Sequence, residues 1–155
     1  MTVTIEALEA KQTELSLLIA QFKAEALKPV LFVLHEAAIE LQLGERYVAP
    51  VLNESGNVTH HLVLMAQRPE KKLNWQSAID WAESIGGSIP TRQELSLLFA
   101  NCKPHLEPGW HFSSETHEDD ASCAWICDFD YGYLGYDHES FEGSAVAVRL
   151  IPVTA

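Results

Sequence analysis

The chain has 155 residues and a mass of 17.3 kDa, the size of one ordinary domain with a short appended element. Its 47% hydrophobic and 21% charged residues exclude a disordered, collagen-like or repeat-array protein. The net charge is −12, and residues 103–155 carry ten acids against only Lys103 and Arg149. Because such a surface repels phosphate backbones, we expect no direct binding of nucleic acid, whereas a cationic partner, a neutral glycan or a metal ion is compatible with it.

The N-terminal sequence and the cysteine content indicate where the protein is made. Acidic residues stand where a secretory signal needs positive charge, and no apolar stretch reaches the roughly 18 residues of a membrane span. Three cysteines, an odd number, favour reduced thiols over a disulfide framework. We therefore expect a soluble, unprocessed protein that is synthesised in the cytoplasm and has no membrane partner.

Residues 4–27 are predicted to form a helix whose repeat is closer to a heptad than to a simple amphipathic face. An isolated helix of this length is marginal without a partner surface. The alternative is a single helix that packs on its own domain, with Leu17 and Leu18 widening the apolar stripe. We predict that residues 1–28 form a short homo-oligomeric coiled coil, in which Gln12 fixes the register and the seam consists of Ile5, Leu8, Gln12, Leu15, Ile19 and Phe22.

A second domain is predicted over residues 29–155, because Lys28-Pro29 ends the helix. Two strands are predicted at its start, at Val30–Leu34 and Ala38–Leu43. A helix over residues 31–43 is the competing prediction. Strands are favoured because strict alternation places the apolar residues of the second segment on one face of a sheet.

Turn and capping signals mark the later elements. Residues 53–57 form a turn cluster between two apolar runs, Gly86-Gly87 stops a helix that Asn74 caps, and Thr91 with Glu94 forms a capping box. The predicted elements are a hairpin of Tyr47–Leu52 with Val58–Met65, a helix from Asn74 to Ile85, a helix from Thr91 to about Ala100, and strands at Trp110–Ser114, Ala124–Phe129 and Ser144–Val153. This order predicts an α+β fold.

Six sequence blocks along residues 44–153 stand in the same order as in a known family of domains. They are His60–Leu64, Leu73–Ala78, Gly86–Leu95, Trp110–Glu115, Ala124–Phe129 followed by Gly132, and Ala147–Arg149. Together they resemble a phage and prophage family of domains of unknown function in the C-type-lectin-like superfamily. That family is related to the collagen-like adhesin C-terminal domain and, distantly, to formylglycine-generating enzymes and retroelement-diversified phage receptor-binding proteins.

The resemblance implies a C-type-lectin-like fold, in which two helices pack on antiparallel sheet, and association with a virion is compatible with it. The first 43 residues lie outside the resemblance. Within the domain, the tryptophans have the size to build a core, and buried packing is predicted for Trp75, Trp81, Trp110 and Trp125.

The chain lacks the residue patterns that the enzymes and the calcium-dependent lectins of this superfamily use. Formylglycine-generating enzymes use a reactive cysteine pair, but Cys123 and Cys127 on one strand would lie ~13 Å apart, too far for a disulfide or a shared metal. The Glu-Pro-Asn, Gln-Pro-Asp and Trp-Asn-Asp motifs of calcium-dependent lectins do not occur. His60 and His61 point to opposite faces of their strand. We therefore predict no enzymatic activity, no catalytic residue, no metal and no cofactor.

The segment from Asp128 to Phe141 is the best candidate for recognition, because it combines Tyr and Phe with Gly, Ser, Asp and His. Tyrosine offers a large contact area at low entropic cost, and small polar residues let a loop adapt to its partner. The alternative is an ordinary surface loop. The predicted ligand-binding residues are Asp128, Asp130, Tyr131, Tyr133, Tyr136, Asp137, His138 and Glu139.

These observations predict a non-catalytic, phage- or prophage-encoded recognition module that binds a protein or glycan. One alternative is a cytoplasmic inhibitor of a host nucleic-acid-binding defence protein that acts by mimicking nucleic-acid charge. A second alternative is an oxidase-like enzyme of the formylglycine-generating branch.

Overall fold

A computed structural model describes residues 4–28, 31 and 37–153 of the chain. The chain divides into two units, Met1–Glu36 and Ala37–Ala155. Within the residues described, the first unit contains helix α1, and the second contains two further helices and two antiparallel three-stranded sheets. The fold is therefore α+β, as predicted. None of the helices in this described part is long and apolar enough to span a bilayer.

Helix α1, Ile5–Ala26, agrees with the helix predicted over residues 4–27. The hydroxyl oxygen of Thr4 accepts a hydrogen bond from the amide of Ala7 at 3.3 Å and so satisfies one of the free amides of the first turn. The helix ends where the amide of Leu27 bonds back to carbonyls of the last turn. No residue of α1 is buried, so its apolar side chains are open to solvent.

The connection after α1 differs from the prediction. The strand predicted at Val30–Leu34 lies outside the described residues except for Leu31. The strand predicted at Ala38–Leu43 is wrong, because residues 37–42 form no regular element and a turn begins at Leu43. Alternation in this segment does not mark a sheet face, since Leu43 is 100% exposed.

Arg149 contacts the irregular segment at the start of the domain. The guanidinium of Arg149 donates to the carbonyl of Glu40 at 2.9 Å and to the carboxylate of Glu45 at 2.7 Å. The bond from Arg149 lowers the pKa of Glu45, against the raising effect of its burial. A charge-assisted bond therefore holds the segment in place of a strand ladder.

The first sheet has the antiparallel strand order β1-β2-β6, with β1 Arg46–Leu52, β2 Val58–Leu64 and β6 Val148–Pro152. The predicted β1–β2 hairpin is present: the amide of Asn53 donates to the carbonyl of Asn57 at 2.9 Å, and Gly56 has a φ of +81° that favours glycine. The strand predicted from Ser144 begins only at β6, four residues later.

The two helices of the domain begin where the capping signals predict. Helix α2, Trp75–Ser84, is capped by Asn74, and helix α3, Arg92–Cys102, carries the predicted capping box. In that box the hydroxyl of Thr91 accepts from the amide of Glu94 at 3.3 Å, and the Glu94 carboxylate accepts from the amide of Thr91 at 2.9 Å. A short 3₁₀ turn, Lys103–His105, follows α3.

The second sheet has the antiparallel order β3-β4-β5, with β3 Trp110–Thr116, β4 Cys123–Asp128 and β5 Leu134–His138. The sequence predicts β3 and β4 but treats the segment of β5 as a loop. Strand β5 pairs with β4 over five residues without a register shift, which places Tyr136 opposite Trp125. The predicted recognition segment therefore includes an edge strand.

The core consists of two clusters, each built on one helix. Helix α3 contributes Leu95 and Leu98 to a cluster with β1, β2, β6 and the end of β4. Helix α2 contributes Ala78 and Ala82 to a second cluster that contains Phe112 of β3. The side of α3 opposite its buried residues faces solvent beside the second sheet. Helix α3 therefore contributes both to the core and to the surface of the domain.

The predicted burial of the tryptophans holds only in part: Trp75 and Trp81 pack against the second cluster as partly buried side chains, whereas Trp110 is exposed and Trp125 belongs to neither cluster. The largest fully buried side chains are Phe112 and Phe129. The indole nitrogen of Trp75 donates to the carbonyl of Ser113 at 2.8 Å, and Trp110 remains 37% exposed. An indole N–H needs an acceptor, which a phenyl ring does not, and this favours phenylalanine at the dry centre.

Candidate functional site

The turn between β4 and β5 is closed by two hydrogen bonds of its own backbone. The amide of Asp128 donates to the carbonyl of Tyr133 at 2.8 Å, and the amide of Gly132 donates to the carbonyl of Asp128 at 2.7 Å. Gly132 has a φ of +81°, and a Cβ at this position would lie 2.6 Å from Cε1 of Phe99 on α3. Only glycine satisfies both constraints, so the turn packs directly on α3.

Two of the predicted binding residues lie at the tip of this turn. Tyr131 is 74% exposed and Tyr133 is 65% exposed, and their ring centroids are 6.0 Å apart. The carbonyl of Asp130 between the strands accepts a hydrogen bond from Lys103. The tip therefore presents two neighbouring aromatic rings on an ordered backbone.

Asp128 has a structural place in the turn. It is 7% exposed, and its carboxylate accepts a hydrogen bond from the amide of Asp130 at 3.0 Å. A side chain buried in this way stabilises the turn and offers little surface to a ligand. Asp128 therefore has a structural role in the turn, and its contact with a ligand stays a prediction.

The remaining predicted residues lie further along β5. Because successive side chains of a strand point to opposite faces, Tyr136 and His138 share one face while Asp137 faces the other. The Nδ1 of His138 lies 2.8 Å from the hydroxyl of Ser140, and the backbone of Glu139 bonds to the β3–β4 connection. The predicted set is thus divided among the turn tip, the middle of β5 and its far end.

Tyr136 belongs to an aromatic cluster that we define as His117, Trp125 and Tyr136. Tyr136 is 56% exposed and lies edge-on to Trp125 with ring centroids 5.8 Å apart. The ring of His117 lies 4.0 Å from that of Tyr136 and 5.0 Å from that of Trp125. The pairing of β4 with β5 places Trp125 opposite Tyr136, and the connection after β3 adds His117, whose amide donates to the carbonyl of Cys123 at 2.8 Å.

Arg92 joins the start of α3 to this aromatic cluster. Its guanidinium carbon lies 4.4 Å from the ring centroid of Trp125, a cation–π contact. The same guanidinium donates to Glu115 at 3.2 Å and to Glu118 at 2.9 Å. Hydrogen bonds from its own backbone amide and from Trp125, together with the charge of Arg92, lower the pKa of Glu118.

A groove of about 500 Å³ lies beside Arg92, and we call it the α3 groove. It is open to solvent and is formed by the first turns of α3 together with β3 and β5. Its walls combine hydroxyl and amide groups, one ion pair and one apolar side chain. The lining residues are Thr91, Arg92, Gln93, Ser96, Glu115 and Leu134.

The histidines of the domain have individual structural partners. His60 and His61 lie on β2, where the Nε2 of His60 is 2.8 Å from a carboxylate oxygen of Glu94 and the Nδ1 of His61 is 3.0 Å from the hydroxyl of Tyr47. In the described part of the chain, no group of three or more His, Cys, Asp or Glu side chains is placed to hold a metal ion.

The cysteines have the properties of protonated thiols. Cys123 and Cys127 both lie on β4, as predicted, and neither is in a disulfide. Burial and the nearby Asp128 raise the pKa of Cys127 to about 11, and desolvation raises the pKa of Cys102. Since the thiolate is the reactive form, these environments make poor nucleophiles at neutral pH.

Comparison of the chain with protein-family models and with the curated proteins finds no match. The resemblance to phage domains therefore rests on the sequence blocks themselves. The features of the structure that bear on function are the turn, the aromatic cluster and the α3 groove.

Proposed function

We propose that this protein is a non-catalytic, phage- or prophage-encoded recognition module with a C-type-lectin-like domain. The ordered sequence blocks support the family, and an α+β domain with two helices and antiparallel sheets is compatible with it. The module binds a protein or glycan through the β4–β5 hairpin. Its contact residues are Asp130, Tyr131, Tyr133 and Tyr136, with Asp137, His138 and Glu139 at the far end of β5.

The exposure of three tyrosines on an ordered hairpin carries this proposal. Tyr131 and Tyr133 stand on a turn fixed by backbone hydrogen bonds and by the Gly132–Phe99 contact, and Tyr136 stands on a paired strand. Large aromatic side chains gain little from exposure to water, but they supply contact area to a partner. Because the backbone is already ordered, binding costs little conformational entropy.

Helix α1 makes the module multivalent in this proposal. The five apolar side chains predicted for the coiled-coil seam, Ile5, Leu8, Leu15, Ile19 and Phe22, are 46–76% exposed. A second copy of the chain would bury them along one seam. Oligomerisation would then present several hairpins to one surface and raise the avidity of weak individual contacts.

Capture from host lysate and cell-envelope fractions tests the assignment of the surface. We expect Tyr131→Ala, Tyr133→Ala and Tyr136→Ala together to abolish capture of the partner that the unchanged chain retains. The matched control is Tyr47→Ala, which removes an exposed tyrosine from the first sheet. Capture that survives the triple substitution would contradict the proposed surface.

The salt dependence of capture separates this proposal from nucleic-acid mimicry. Contacts made by tyrosines are weakly sensitive to salt, whereas a charge mimic loses affinity steeply as salt is added. A basic nucleic-acid-binding protein that is retained by the triple variant and released by salt would favour mimicry instead. Light scattering of the full chain and of residues 29–155 tests the role of α1, and a monomeric full chain would refute it.

A further inference from the structure

The α3 groove has the dimensions of a small-ligand site. Its volume of about 500 Å³ falls within the range of roughly 300–1,000 Å³ that such sites occupy. Its walls come from a helix and from two strands of one sheet, so its shape is set by regular elements. This groove lies next to the aromatic cluster but is lined by different residues, apart from the shared contact of Arg92 with Trp125.

The charged groups at the groove are already paired with one another. One oxygen of Glu115 accepts from the amide of Arg92 at 2.6 Å and the other accepts from its guanidinium at 3.2 Å. The oxygens of Glu118 accept from Arg92 at 2.9 Å and from the indole of Trp125 at 3.1 Å. A charged ligand would have to displace one of these bonds, whereas a neutral ligand leaves them intact.

The neutral side chains of the lining retain both donor and acceptor capacity. The hydroxyl of Thr91 accepts from the amide of Glu94, which leaves its proton available. The hydroxyl of Ser96 donates to the carbonyl of Arg92 and keeps its lone pairs. The Gln93 side-chain nitrogen donates to the carbonyl of Leu52, which leaves its oxygen as an acceptor. This mixture complements hydroxyl groups, since each of them both donates and accepts.

The opposite wall of the groove is apolar. Leu134 is 45% exposed at the start of β5, and Tyr136 follows on the same face of that strand. Together, the polar and apolar walls fit a molecule with hydroxyls on its edge and C–H groups on its face. We propose that the α3 groove binds a neutral saccharide, with its hydroxyls on Thr91, Gln93 and Ser96 and its ring face on Leu134.

A peptide ligand fits these observations less well. An extended peptide gains affinity by pairing its backbone with the free edge of a strand. The uncharged polar groups of the α3 groove are side chains at the start of α3, and they are not the backbone groups of a strand edge. The inference rests on the proposed function in one respect, that the domain is a recognition module, and it adds a site that is lined by residues other than the exposed tyrosines.

Titration of the full chain with neutral trisaccharides tests the inference. The probes are the trisaccharides of glucose, galactose, mannose and N-acetylglucosamine, followed by protein NMR and calorimetry, with a neutral glycine–serine hexapeptide as comparison. We expect at least one trisaccharide to bind, and Ser96→Trp, which fills the groove, to weaken its affinity at least about tenfold. The control is Ser84→Trp on α2, since both serines are exposed and donate to a carbonyl of their own helix.

A second variant pair keeps the test available if Ser96→Trp fails to fold. Gln93→Leu removes an acceptor of the groove and should weaken saccharide binding severalfold. Gln76→Leu on α2 should leave it unchanged, because both glutamines are exposed and use their amide nitrogen in one internal bond.

Four results would overturn the inference. They are no binding of any trisaccharide, binding that the groove variants do not weaken, binding that a metal chelator abolishes, and equal binding of the hexapeptide in the groove. If the trisaccharides fail while capture still depends on Tyr131, Tyr133 and Tyr136, only the saccharide inference falls. If that capture fails while a trisaccharide binds in the groove, the saccharide site stands and the tyrosine surface falls.

Discussion

The two sheets of the domain use their side chains differently. In the first sheet, Leu62, Val63 and Leu64 of the central strand β2 are all fully buried, so both of its faces are covered. In the second sheet, one face of β4 packs in the core with α2, while the other is covered by α3 at Cys127 and leaves Trp125 and Tyr136 partly exposed. The first sheet therefore contributes mainly stability, and the second keeps part of one face exposed for binding.

Truncation of a buried leucine should show the largest difference between the sheets. Leu64→Ala on β2 should lower the free energy of unfolding by about 3 to 5 kcal/mol, because it removes a fully buried side chain and leaves a cavity. Leu134→Ala on β5 should cost less than about 1 kcal/mol, since this leucine is partly exposed. Urea denaturation measures both, and equal losses would contradict the division.

A buried histidine should make the second sheet sensitive to acid. Burial lowers the pKa of His111 on β3 to about 4, so the folded protein holds it neutral while the unfolded chain protonates it below about 6.5. Stability contributed by the neutral ring is full above pH 6.5 and is lost as the pH falls to 4, by up to about 3 kcal/mol.

Denaturation at pH 7, 5.5 and 4 measures this effect. His111→Asn should flatten the slope between these pH values, and His105→Asn, at an exposed position, should not. A slope that persists in His111→Asn would assign the acid sensitivity to other groups.

The ion pairs of Arg149 and Arg92 should differ in their contribution to stability, but by less than the two leucines do. Arg149→Met should destabilise the domain by about 2 kcal/mol, because it leaves the carboxylate of Glu45, which is 4% exposed, without its charged partner. Arg92→Met should cost less than about 1 kcal/mol, since Glu115 and Glu118 are better exposed to water. Thermal denaturation of both variants checks the order, and a larger loss for Arg92→Met would reverse it.

Substitutions of the exposed tyrosines should change stability least, although they should change binding most. Tyr131→Ala and Tyr133→Ala should each alter the free energy of unfolding by less than about 0.5 kcal/mol, because both side chains are exposed. Parallel denaturation curves with unchanged midpoints would support this. A marked loss would mean that the rings support the turn.

Local signals predicted the elements that depend on neighbouring residues. Asn74 and the Thr91–Glu94 box placed the starts of α2 and α3, because a cap is made within four residues of the helix. The turn at residues 53–57 placed the β1–β2 hairpin for the same reason. Such features are determined by short stretches of sequence.

Features that depend on distant residues were missed. Strand β5 has two glycines beside or within it and little β-branched content, and it is formed by pairing with β4. The alternation at Ala38–Leu43 predicted a strand, but residues 37–42 are irregular, and the carbonyl of Glu40 bonds to Arg149, more than a hundred residues away. The contact of Arg92 with Glu115 and Trp125 likewise joins three elements, so the candidate site was only partly predictable: its tyrosines from composition, its arginine and groove not at all.

The contact between Gly132 and Phe99 also defines which positions of the hairpin tolerate variation. Since any side chain at 132 would collide with the phenyl ring, this residue and Asp128 have to be kept in a combinatorial library. Positions 130, 131 and 133 are exposed and can be randomised together without disturbing the interior of the domain. The turn is thus a ready scaffold for selecting new binding specificities by display.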